Sequence, residues 1–120
     1  MMPKILSPKQ HGVADWGLAA GLVALPKLLN VNPTAQKLYC ALGLNILSIN
    51  GTTDHGVGVA PLISIETHKK LDLANLALLY GMFSSKIVTG DKETRNFHIG
   101  LTALATLNVL TTDYKKNTNE

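Results

Sequence analysis

The sequence predicts an all-α fold, a four-helix bundle made of two repeated antiparallel helical hairpins. Three observations carry this. Apolar segments of helical length alternate with short polar turns, and no window shows the sustained alternation of a strand. His11-Gly12-Val13-Ala14-Asp15 has the spacing of His68-Lys69-Lys70-Leu71-Asp72, 57 residues further on. Thr52-Thr53-Asp54 recurs as Thr111-Thr112-Asp113, 59 residues further on. The chain therefore reads as a single domain, 1–120, holding pseudo-repeats over 9–54 and 66–113. Each copy runs His-x-x-x-Asp, helix, turn, helix, Thr-Thr-Asp. A short turn inside each copy makes its two helices antiparallel neighbours, and two such pairs form a bundle.

A polar lead with Pro3 and Pro8 precedes the first helix, expected over residues 9–29. Within it, Gly17-Leu18-Ala19-Ala20-Gly21 lets another backbone approach closely, and Pro26 kinks or frays the last turn. Asn30-Val31-Asn32-Pro33-Thr34 is a turn, with Asn32 or Thr34 capping a second helix over 35–50. Gly51 is placed to end it. The connection over 52–64 is glycine-rich and holds Pro61. A third helix is expected over 67–89 and a fourth over 94–112, separated by the turn Gly90-Asp91-Lys92-Glu93 and followed by a polar tail over 113–120.

Charged residues make up only 16% of the chain and sit mostly at segment ends. The net charge of +3 is too small, and the lysines too scattered, for a nucleic-acid partner. The single cysteine, Cys40, excludes an internal disulfide and a CxxC metal knuckle; in its apolar run it reads as a buried, inert thiol. Residues 1–10 lack the apolar core of a signal peptide. Uncharged runs cover 38–53, 73–85 and 96–112, close to the roughly 20 residues of a spanning helix. Each segment is apolar nearly all round, a pattern that suits lipid better than a small bundle in water.

The expectation is accordingly a multi-pass protein of the cell membrane, with the lipid bilayer as its partner. Trp16 and Tyr114 would anchor it at the interface, and Lys86 would snorkel. Lys4, Lys9, Lys69, Lys70, Lys115 and Lys116 lie on the side of the termini, against Lys27, Lys37, Lys86, Lys92 and Arg95 opposite, which places the termini in the cytoplasm. The alternative is a soluble four-helix bundle that forms a homo-oligomer through its apolar faces.

This topology gathers His11, Asp15, Asp54, His68, Asp72 and Asp113 at one end of the bundle. Positions i and i+4 share a helix face, so each histidine lies above its own aspartate, and Asn75 continues that face. Three readings compete. The first is a polar network that satisfies helix ends and bonds across helices. The second is a metal or haem site, although the Glu-x-x-His of di-metal bundles is absent. The third is a path for a cation or proton, with Asp15 and Asp72 as the best candidates. No residue pattern points to an enzyme or names a cofactor. His55, in a glycine-rich loop, is expected to be solvated. His98 is expected at the opposite end, packing or capping, with Tyr39 in its place in the first copy.

Ser7-Pro8-Lys9-Gln10-His11-Gly12-Val13-Ala14-Asp15-Trp16, the central Thr53-Asp54, His68 to Asp72 and the closing Thr112-Asp113-Tyr114 together resemble the SPW-repeat group, small four-helix bacterial membrane proteins that are largely uncharacterised. The likeness covers residues 7–114. The name-giving Ser-Pro-Trp is replaced by Ala24-Leu25-Pro26 in the first half and Ser84-Ser85-Lys86 in the second. The resemblance implies a multi-pass membrane protein and no enzyme.

Overall fold

Ser7 sets the first helix boundary. Its hydroxyl accepts from Gln10 N, the Gln10 side chain accepts from Ser7 N, and Pro8 follows at the first helical position, where a missing N–H costs nothing. From there α1 runs Pro8–Leu28 in the computed structural model, which describes residues 3–115. Pro26 is held within the last turn of α1, and the chain leaves through Asn30 in the left-handed region (φ 58°). Asn32 caps α2 (Pro33–Gly51), its Oδ1 accepting from Ala35 N. Gly51 stays inside that helix, which ends instead at Thr52; the Thr52 and Thr53 hydroxyls turn back to the carbonyls of Ser48 and Ile49.

The third segment departs from expectation. Ser64 caps α3 (Ile65–Gly81), but a 3-10 turn, Met82–Ser84, interrupts the continuation to residue 89. Ser85 is extended and caps the four-residue α4 (Lys86–Thr89) by accepting from Ile87 N. Asp91 then caps α5 (Lys92–Leu110) through Thr94 N. Asn32 Nδ2 also donates to Asp91 Oδ2 at 2.8 Å, tying the two turns at this end together.

All regular structure among the described residues is helical. Two isolated parallel bridges cross at the opposite end, Leu6 with Thr112 and Thr53 with Ile63. Their backbone bonds match: Leu6 N donates to Thr111 O and Asp113 N to Leu6 O, while Ile63 N donates to Thr52 O and Asp54 N to Ile63 O. A core of Leu22, Val31, Ala35, Tyr39, Leu42, Leu79 and Leu101 lies between the helices. At Gly43 an added Cβ would come within 3.1 Å of Ala19 O and Leu22 Cβ, so a larger residue would push α1 back by a few tenths of an ångström. The shortest dimension, 20 Å, is that of two helix layers.

No helix among the described residues is long and apolar enough to cross a membrane. This overturns the multi-pass membrane protein, its transmembrane helices and the cell-membrane localisation with cytoplasmic termini, and lends the bilayer no support as a partner. The apolar runs are too short once real helix boundaries are drawn. α3 has 17 residues and carries Glu66, Lys69, Lys70 and Asp72. α1 contains Lys9, Asp15 and Lys27, while α5 opens on Lys92, Glu93 and Arg95. The all-round apolar pattern has another cause: His, Thr and Asn side chains turn inward, while Leu44, Leu78 and Leu104 are exposed.

The anchoring roles fall with the membrane. Trp16 Nε1 donates to Val57 O, Tyr114 is buried, and Lys86 opens α4. Cys40 is half-buried rather than enclosed. The expected tail beyond Lys115 lies outside the described residues.

Candidate metal centre

Two threonines begin the site. The Thr53 hydroxyl donates to Ile49 O and the Thr112 hydroxyl to Asn108 O, each one turn back. A hydroxyl has a single proton, so each Oγ1 can only accept its second bond. Thr112 accepts from His11 Nδ1–H at 2.8 Å, and Thr53 accepts from His68 Nδ1–H at 2.6 Å. Both imidazoles are thereby fixed with Nδ1 outward to threonine and Nε2 toward the interior.

Between the two Nε2 atoms stand the carboxylates of Asp15 and Asp72. His68 Nε2 lies 2.9 Å from Asp15 Oδ2 and 3.2 Å from Asp72 Oδ1. His11 Nε2 lies 2.9 Å from Asp72 Oδ2 and 3.2 Å from Asp15 Oδ2. The His68–Asp15 contact is a hydrogen bond. The His11 contacts are close but lie off the N–H axis, leaving that nitrogen without a directed partner. One ligand atom from each of the four residues falls within a set no more than 4.8 Å across. The carboxylates are held from behind as well: Asn108 Nδ2 donates to Asp15 Oδ1 at 2.9 Å, and Tyr114 O–H to Asp72 Oδ2 at 2.8 Å.

Charge follows from this geometry. Burial disfavours the imidazolium of His11, yet the adjacent Asp15 and Asp72 outweigh it and push its pKa up to about 9. His68 is raised by the same competition. Burial likewise works against both carboxylates, but the two histidines hold Asp15 below the usual range and Asp72 down to about 2. Two imidazolium and two carboxylate groups therefore balance in an interior that would not tolerate one alone. Burial, then the Asp72 charge, pushes the Tyr114 hydroxyl far above its ordinary range.

Four of the six expected residues, His11, Asp15, His68 and Asp72, meet here. Asp54 and Asp113 do not. Their backbone amides make the two crossing bonds, while the Asp54 side chain is exposed and Asp113 Oδ1 accepts from Lys115 N. His55 is fully buried rather than solvated: its Nε2–H donates to Asn50 Oδ1, and its Nδ1 has no partner. Burial, then the charge of His68, lowers its pKa to about 4. His98 lies apart from the cluster, accepting from Tyr39 O–H at 2.8 Å and donating to Leu79 O at 2.7 Å.

Thr53, Thr112, Asn108 and Tyr114 are the site residues whose roles sequence reasoning missed. The repeated Thr-Thr-Asp was a signal for the threonines; Asn108 and Tyr114 occur once each and gave none.

Fold and site define an all-α protein with a buried two-histidine, two-aspartate cluster. No family model, curated protein or solved structure matches the chain. The resemblance to the SPW-repeat group therefore rests on its short motifs alone.

Proposed function

We propose that this chain is a binding protein for one first-row divalent metal ion, held by His11, Asp15, His68 and Asp72, without an enzymatic step. The observation that carries the reading is that all four side chains have a second partner behind them: Thr112, Asn108, Thr53 and Tyr114 respectively. Metal-ligating histidines and carboxylates are typically oriented this way, with imidazole N–H bonds fixing the tautomer that offers its lone pair. Bonds of about 2.0–2.2 Å at tetrahedral angles set ligand atoms roughly 3.3 Å apart; the four histidine–aspartate contacts, 2.9–3.2 Å, are within a few tenths of that, and the set as a whole, up to 4.8 Å across, would draw in around the ion. Two imidazoles and two carboxylates suit Zn2+, Co2+, Fe2+ or Mn2+. Haem fits poorly, because Asp15 and Asp72 fill the space between the rings that a macrocycle would need.

A two-fold repeat explains the exchange of partners. Each copy supplies one His–Asp pair, and each histidine leans on the threonine of the other copy. In this reading the fold is two helical hairpins joined about an axis through the metal. Titration of chelator-stripped protein with Co2+ tests it. Expected are one Co2+ per chain, visible d–d absorption, displacement by Zn2+, and loss of binding in His68→Gln. Folded protein that takes up no Co2+ at micromolar concentration overturns it and leaves the cluster as a structural ionic network.

A further inference from the structure

Beneath the cluster lies a chamber of about 40 Å³. His11, Asp15, Asp72, Asn75 and Asn108 form one wall, and leucines of α1, α2, α3 and α5 with Ile46, Ala105 and Val109 form the rest. The polar wall has an unmet demand. Asn108 is buried and spends its Nδ2 on Asp15, but its Oδ1 has no hydrogen-bond partner. His11 Nε2, on the same wall, is the cluster's other buried atom without a directed partner. A metal ion accounts for the nitrogen. Asn108 Oδ1 lies outside the four-residue ligand set, and a hydrogen-bond donor placed in the chamber would satisfy it. A buried acceptor left alone is unfavourable, because it has given up its bonds to water.

We infer that the metal keeps an exchangeable position on its chamber side, filled at rest by a water that donates to Asn108 Oδ1, and open to other hydrogen-bond-donating ligands of one or two heavy atoms. This rests on the metal reading above and adds the class of ligand. Size sets the limit: the chamber exceeds the roughly 10–15 Å³ that one water requires, but is far below the several hundred cubic ångströms of an ordinary small-molecule site. Chemistry sets the rest. The apolar wall offers nothing to a charged or multiply polar molecule, so selection falls to one metal bond and one bond to Asn108.

The test uses the Co2+-loaded full chain, with hydroxylamine as a two-heavy-atom donor and imidazole as a ligand too large for the chamber. Hydroxylamine should shift the d–d bands saturably, and imidazole should leave them unchanged. Ala105→Leu, which fills the chamber from its apolar wall and replaces no ligand, should bind Co2+ normally and lose at least tenfold in hydroxylamine response. Ala105→Val serves as the milder filling should Ala105→Leu not fold. One bound Co2+ with bands indifferent to hydroxylamine overturns the open position while the metal reading stands. An equal response to imidazole overturns the chamber as its limit. Absence of Co2+ binding removes the metal reading and this inference together.

Discussion

His68 Nε2 lies closer to Asp15 on α1, at 2.9 Å, than to Asp72 one turn along its own helix, at 3.2 Å. His11 shows the mirror preference, 2.9 Å to Asp72 and 3.2 Å to Asp15. The repeated His-x-x-x-Asp is thus not two local ion pairs. It is one four-membered charge arrangement that staples α1 to α3.

Coupling between the aspartates follows. Asp15→Ala leaves two buried imidazoles facing a single carboxylate, and its cost should be on the order of 3 kcal/mol. Asp72→Ala should behave alike. Asp91→Ala removes a half-buried helix cap at the far end and should cost clearly less. Denaturant unfolding of the double variant Asp15→Ala with Asp72→Ala should depart from additivity by at least about 0.5 kcal/mol. Strict additivity would mean that the two pairs act independently.

Stability of the metal-free protein should peak near pH 6.5. His11 and His68 have raised pKa values, so their contribution is complete below the unfolded value of about 6.5 and is lost as pH rises above it, toward about 9 for His11. For His11 alone this is on the order of 3 kcal/mol. His55 works in the opposite sense. Its lowered pKa makes the unfolded chain the better proton acceptor, so stability falls as pH drops from about 6.5 to about 4. Asp15 and Asp72 add their loss only below about pH 4, reaching down to about 2 for Asp72. Thermal melts in chelator across this range should show both limbs. His55→Gln should flatten the limb between about pH 4 and 6.5 and leave the alkaline limb in place. A melting temperature independent of pH from 6.5 to 9 would contradict the charged histidines.

The threonines offer a separate handle. Thr53→Val and Thr112→Val preserve shape but remove the acceptor for a buried Nδ1–H, at a cost of about 1–3 kcal/mol each. Under the metal reading, each should also weaken Co2+ binding by about 10–100-fold, the usual effect of losing an outer-shell partner. Loss of stability with unchanged Co2+ affinity would assign the threonines to folding alone.

Much of this was legible in the sequence. Turn residues announced most helix starts to within about two residues, but of the caps only Asn32 was read as one; Ser7, Ser64 and Asp91 cap their helices without having been singled out. The interruption after Gly81 was hidden, since nothing in Met82-Phe83-Ser84 breaks the apolar run. The four-residue cluster could be read from repetition at one spacing. Its partners could not: Asn108 reaches Asp15 across 93 residues and Tyr114 reaches Asp72 across 42, and neither has a counterpart in the other half. The membrane expectation failed for a related reason. Composition reports how apolar a segment is, not which way its few polar groups point. Here His11, His68, His98 and Asn108 face inward, so the outer surface keeps the leucines.

Glycines separate what packing demands from what lies open. At Gly12 an added Cβ would stand 2.5 Å from Val57 Cγ2 and 2.6 Å from His55 Nε2, inside contact distance. Gly12→Ala should therefore destabilise, displacing His55 and the loop that holds it, by about 1–3 kcal/mol. Gly17 and Gly100 have nothing within 4 Å of the corresponding point. They line a groove of about 520 Å³ between α1 and α5, together with Leu25, Phe97 and Leu104. In a free helix, Gly17→Ala and Gly100→Ala should each stabilise by up to about 1 kcal/mol, because alanine is the better helix former. If a second copy of the chain packs on this face, the same alanines would instead meet a helix backbone and weaken association. Sedimentation equilibrium beside thermal melts decides between these. A monomeric protein with higher melting temperatures leaves the groove free, whereas an oligomer that dissociates on Gly17→Ala makes it the interface of a homo-oligomer.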